Sequence, residues 1–127
     1  MKKAIRICVV LSLCLAATAF LAWPQSADDP LDSLKASADT QRLLFENQFV
    51  RVIDDQIPVG ATEPLHRHRH GVQVYINNYT NEQVTQDGNK TVSDRKAGTA
   101  GWSEATVHTV KNIGTTPSHA IRIELKF

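Results

Sequence analysis

Pro64-Leu65-His66-Arg67-His68-Arg69-His70 is the stretch on which the reading of this chain turns. It holds three of the five histidines, at alternate positions. Alternate side chains of an extended strand point to the same face. As a strand, the stretch lines one side of its backbone with three imidazoles and turns Arg67 and Arg69 to the other. Imidazole is the commonest metal-binding side chain, and His-x-His on a strand aims two of them at one point. The competing reading is a solvated, cationic edge strand with no ligand. The stretch alone leaves both open, and a distant histidine, His108, bears on the choice.

Outward from this stretch the flanks read as further strands. Leu43-Leu44-Phe45-Glu46 precedes a turn at Asn47-Gln48, and Phe49 to Asp54 is rich in β-branched and aromatic residues. Pro58 to Ala61 is a break, and Gly71 punctuates the end of the histidine run. Val72 to Asn77 has an aliphatic residue at every second position. Asp87-Gly88-Asn89 is a hairpin turn signal between Glu82–Gln86 and Thr91–Lys96. Ala97 to Trp102 leads into a short strand, His108 to Lys111 forms another, and Asn112 to Pro117 turns. In the last segment His119, Ile121, Ile123, Leu125 and Phe127 share a phase, which predicts that they form its buried face. About nine short strands with turn signals roughly every 8–12 residues predict an all-β sandwich or small barrel. The length, 127 residues, suits one domain with a modest core.

The N-terminal part reads differently. Met1 to Arg6 is basic, Ile7 to about Leu15 is apolar and uncharged, and Ala17-Thr18-Ala19 is a small-x-small cleavage site. Residues 1–19 are therefore expected to be a signal peptide, and the mature protein to be periplasmic or secreted. The rival is an uncleaved membrane anchor, because the uncharged run from Ile7 to Trp23 sits at the short limit of the roughly 17–25 residues a spanning helix needs. Any membrane contact is expected only through that segment. Residues 20–42 read as a linker, loose or packed on the outside, in which Asp32 N-caps a short helix from Ser33 to Ala38. The domain proper is expected over residues 43–127. Both cysteines, Cys8 and Cys14, fall in the signal segment, so the mature chain has neither a disulfide nor a thiol nucleophile. Its hydrophobic core is then expected to hold it, with a metal or a dimer as the available help. Losing Lys2, Lys3 and Arg6 leaves 11 basic against 13 acidic residues, a net of −2. A nearly neutral domain with no basic stripe is not a nucleic-acid binder.

The spacing Gly60, five residues, His66-Arg67-His68, four residues, Gln73 resembles the first motif of the cupins, whose last member is normally Glu. Gly98, Trp102, His108, Asn112 and Gly114 look like the second motif in degraded form, with Ser103 and Ala105 where Pro and Gly are usual. The whole set resembles small secreted single-domain cupins of unassigned function. The resemblance covers about Leu43 to Phe127. It implies a double-stranded β-helix, the jelly-roll barrel, and a homodimer. It also implies metal ligands at His66, His68 and His108, with Gln73 in the carboxylate's place. The Gly60 spacing makes His70 a rim residue.

Physical reasoning runs the same way, because a small barrel brings residues distant in sequence to one mouth. Three histidines there suit a divalent ion, whether Fe, Mn, Ni, Zn or Cu. Gln73 is a neutral and weaker donor, and it alternates against Val72 and Val74. If the valines face the core, Gln73 faces out; if Gln73 faces in, something outside must cover the valines. A site of three histidines alone is similar to that of three-histidine thiol dioxygenases. His119 is expected to pack with a hydrogen bond, Arg67 and Arg69 to be solvated, and Trp102 and Tyr75 to wall the core or pocket. Glu104 is expected to be an exposed loop residue, with general acid/base work as the other reading. The expected function is metal binding, with an oxygenase or isomerase reaction on a small molecule. The alternative is a non-catalytic module for a small ligand or partner.

Overall fold

Asp32 accepts from the Leu34 amide as the N-cap of a one-turn helix, α1 (Ser33–Ala36). The computed structural model describes residues 28–127. The expected signal peptide, its cleavage site, both cysteines and the first part of the linker lie outside the described residues. Nine strands follow α1: β1 (Gln41–Glu46), β2 (Val50–Ile57), β3 (Thr62–His68), β4 (Gly71–Tyr75), β5 (Tyr79–Thr85), β6 (Lys90–Arg95), β7 (Ala100–Ser103), β8 (Thr106–Asn112) and β9 (Ser118–Leu125). They form two antiparallel sheets, β1-β2-β9-β4-β7 and β3-β8-β5-β6. This is the expected all-β jelly-roll barrel. Among the described residues, no helix is long and apolar enough to cross a membrane.

The turns follow the local chemistry. Gly88 takes φ 87° between β5 and β6, and Gly60 takes φ 77° between β2 and β3, where a side chain is disfavoured. Asn112 is wholly buried and holds the turn after β8. Its Nδ2 donates to the carbonyls of Ile57 and Thr116, and its Oδ1 accepts from the Gly114 amide. The motif position it fills is therefore a backbone clamp.

Residues 28–40 are tied to the strands. Asp29 accepts from Arg67 Nη1 at 2.6 Å and Asp32 from Arg51 Nη1 at 2.6 Å. The Arg67 amide also donates to the Leu31 carbonyl. Helix α1 stops at Ala36 rather than Ala38, and Ala38 is exposed. Pairing begins at Gln41, two residues before the expected start of the domain.

The main correction concerns which face is inside. In β9 the buried residues are Ser118, Ala120, Arg122 and Glu124, while His119, Ile121, Ile123 and Leu125 are half-buried on the outer face. The expected phase was therefore inverted. In β2 the inner positions include Arg51, Ile53 and Ile57. Among the described residues the buried hydrophobics are only Ile53, Ile57, Tyr75, Tyr79, Val110 and Ala120. The rest of the interior is polar, with Glu63, His66, His68, Asn81, His108, Arg122 and Glu124 all buried. Ion pairs and hydrogen bonds thus do much of the work expected of an apolar core. Arg51 donates from Nε and Nη2 to Glu124 Oε2 at 2.9 and 2.7 Å.

Candidate metal centre

Two neighbouring strands carry the three histidines. On β3, His66 and His68 are two apart and face the same side. His66 lies directly opposite His108 of β8, and cross-strand partners share a face. All three are buried. Their ring centroids are 4.7 Å (His66–His68), 4.8 Å (His66–His108) and 5.6 Å (His68–His108) apart. One nitrogen from each lies within 4.8 Å of the others.

Hydrogen bonds at the far side of two rings set their tautomers. His66 Nδ1 lies 2.8 Å from the Pro64 carbonyl, which can only accept, so Nδ1 donates. His68 Nδ1 donates to Glu124 Oε1 at 2.7 Å. In the neutral rings, both Nε2 atoms then carry lone pairs, and they face each other at 3.0 Å. His108 Nε2 is buried with no hydrogen-bond partner. Burial, then the charges of Arg122, His66, His108 and Arg51, push His68 well below its ordinary value. Burial, then His66 and Arg122, take His108 down to about 3. His68 and His108 are therefore neutral at ordinary pH, and a nitrogen of each converges with one of His66 on a single point.

Two cavities adjoin the cluster. An inner one of about 20 Å³ is bounded by Asp55, Glu63, His68, Gln73, Asn81 and His108, among others. An outer one of about 230 Å³ opens between Gln73, Arg95, Trp102, Glu104, His108 and Arg122. Gln73 lines both, so it faces inward, opposite the buried Arg122. Val72 and Val74 accordingly face out and are half-buried. The outer mouth holds Arg95 at 4.9 Å over the Tyr75 ring, and Glu104 accepting from Trp102 Nε1 at 2.7 Å.

Other expected residues lie elsewhere. His70 falls beyond the end of β3 and stacks on Trp102 at 5.7 Å, a rim position. His119 is on the outer face, where its Nε2 contacts Asp54 Oδ1 at 2.8 Å. Arg67 is tied to Asp29 rather than solvated. Trp102 is 57 % exposed, so it walls the mouth and not the core, whereas Tyr75 is buried. Sequence reasoning passed over Glu63, Asp55, Arg122 and Glu124. The first had a signal in Pro64, since proline inside a strand marks a bulge or edge.

Solved structures of this shape include a cupin domain from Bordetella pertussis Tohama I, at 25% identity and TM-score 0.62, matched over 68% of this chain and 92% of that one. The chain belongs to the cupin superfamily. A cupin family protein with a double-stranded β-helix fold from Methanocaldococcus jannaschii has the same architecture, at 16% identity and TM-score 0.52 over 68% of this chain and 80% of that one. So does a cupin superfamily protein from Desulfitobacterium hafniense DCB-2, at 10% identity and TM-score 0.51 over 67% and 74%. No protein-family model matches this cupin's sequence, and no curated protein matches it.

The residues of this cupin fit a metal ion. Two nitrogens bound about 2.1 Å from one ion at right angles would lie about 3.0 Å apart, the separation of His66 and His68 Nε2. The buried His108 Nε2 otherwise lacks a partner.

Proposed function

We propose that this cupin binds a divalent metal through His66, His68 and His108 and uses it to act on a small molecule admitted through the outer mouth. The observation that carries the reading is the convergence of three buried imidazole nitrogens, two of them 3.0 Å apart. When bound, the ion supplies Lewis acidity or a site for O2, the chemistry of an isomerase or an oxygenase. The chain's own residues do the rest. Glu124 and the Pro64 carbonyl orient His68 and His66. Gln73 stands between the two cavities and offers an amide to whatever enters. Arg95 and Arg122 place positive charge along the mouth, which favours a ligand with an anionic or electron-rich group. A binding module without turnover is the second reading. It is favoured by the Glu104 carboxylate of the mouth, whose Oε1 is engaged by Trp102 Nε1.

The reading includes export. The basic, apolar and small-x-small order of residues 1–19 supports a periplasmic or secreted protein. It also includes a homodimer through the outer face of the five-stranded sheet. Trp102, Val72, Ile123, Val52 and Phe45 are successive cross-strand partners there, so they form one apolar row.

Metal analysis of protein purified without a histidine tag tests the reading. The expected result is about one metal equivalent per chain, lost in His108→Ala, with a lower melting temperature after chelation. No bound metal and no effect of chelator would contradict it. Bound metal without turnover of any small molecule tried would select the binding module.

A further inference from the structure

We propose that Glu63, and not Gln73, supplies the carboxylate ligand of this metal centre. The inference rests on the metal reading above.

On a regular strand, residues three apart face opposite sides. Glu63 and His66 escape this rule. Glu63 is opposite Val110 and His66 is opposite His108, so β3 spends three residues where β8 spends two. The extra residue is a β-bulge. It falls at Pro64-Leu65, and Pro64 has no N–H to lose from the ladder. The bulge turns Glu63 onto the face of His66 and His68.

Once there, Glu63 is 1 % exposed. Its Oε1 accepts from Thr40 Oγ1 and from Gln41 Nε2, the latter at 3.0 Å. Thr40 ends the turn after α1 and Gln41 opens β1, and together they pin the carboxylate. Its Oε2 is buried with no hydrogen-bond partner and lies 3.6 Å from His66 Nε2. An unsatisfied carboxylate oxygen in the interior is costly, and here it faces the Nε2 atom of His66. One cation shared by Oε2 and the three histidine nitrogens satisfies all of them. Gln73 brings no charge, and its place between the two cavities makes it a wall for the incoming ligand.

A single negative ligand beside three imidazoles suits hard ions such as Mn(II) or Fe(II). Mn(II) is therefore the probe, with bound and free ion separated by electron paramagnetic resonance. Glu63→Gln keeps a carbonyl to accept from Thr40 and Gln41, and it is expected to weaken Mn(II) binding at least about tenfold. Gln73→Ala is expected to leave the affinity within about threefold, against the tenfold or more expected where a ligand or its support is lost. Difference infrared spectra of the unaltered protein provide a second readout that needs no variant, and Mn(II) should shift a carboxylate stretch. Equal affinity in Glu63→Gln with a loss in Gln73→Ala would overturn the inference and leave the three-histidine site standing. So would an infrared spectrum without a carboxylate change. No Mn(II) or Zn(II) binding by the unaltered protein would overturn both.

Discussion

Glu124 is wholly buried and accepts from Arg51 through two nitrogens and from His68 Nδ1. Arg122 Nε stands 3.5 Å from its other side. Removing one partner of such a buried network strands the remaining charges. Glu124→Ala is therefore expected to destabilise the fold by about 3–5 kcal/mol, read from the urea midpoint. The milder Glu124→Gln should fold yet bind metal about 10–100-fold more weakly, because His68 loses the acceptor that orients it. His108 carries a pH prediction for the metal-free protein. Its folded value of about 3 lies below the ordinary value of 6.5, so between these the unfolded chain takes up a proton that the folded one does not. Stability should be full above pH 6.5 and fall as the pH is lowered toward about 3. A flat urea midpoint across that window would contradict this.

At the scale of the strands, the identity and order of the elements were legible from turn residues, and the phase of β9 was not. Ile121, Ile123 and Leu125 alternate as a buried face would, but the face they form is the outer one. The inner face is Ser118, Ala120, Arg122 and Glu124, whose burial depends on partners more than 50 residues away, such as Arg51. No local pattern carries that. His66, His68 and His108 were legible because two share a strand and the third fits the family's spacing. Glu63 was not, because reading it requires the bulge that Pro64 marks. Gly71 gives an element-scale test. A Cβ there would sit 2.0 Å from the Ile123 carbonyl oxygen, inside the β4–β9 ladder. Gly71→Ala must push the two strands apart and is expected to cost about 1–3 kcal/mol or more. Thermal unfolding would show it as a lower midpoint, and an unchanged midpoint would mean that the two strands do not pack this closely.

For the whole molecule, a polar interior with aliphatics outside inverts the usual plan, and the outer sheet face then needs cover. Phe45 is 53 % exposed in the row that Trp102 begins. The homodimer reading predicts a concentration-dependent mass in sedimentation equilibrium, shifted toward monomer by Phe45→Lys, since a charge buried within an apolar row is costly. A monomer at all concentrations would contradict that reading. The polar interior itself makes sense around an ion: lone pairs and a carboxylate oxygen that repel in its absence become ligands in its presence. X-ray absorption at the edge of the bound metal tests this most directly. The account predicts scattering from three imidazoles and one carboxylate oxygen at about 2.0–2.2 Å, whereas a spectrum with fewer than three imidazoles would contradict it.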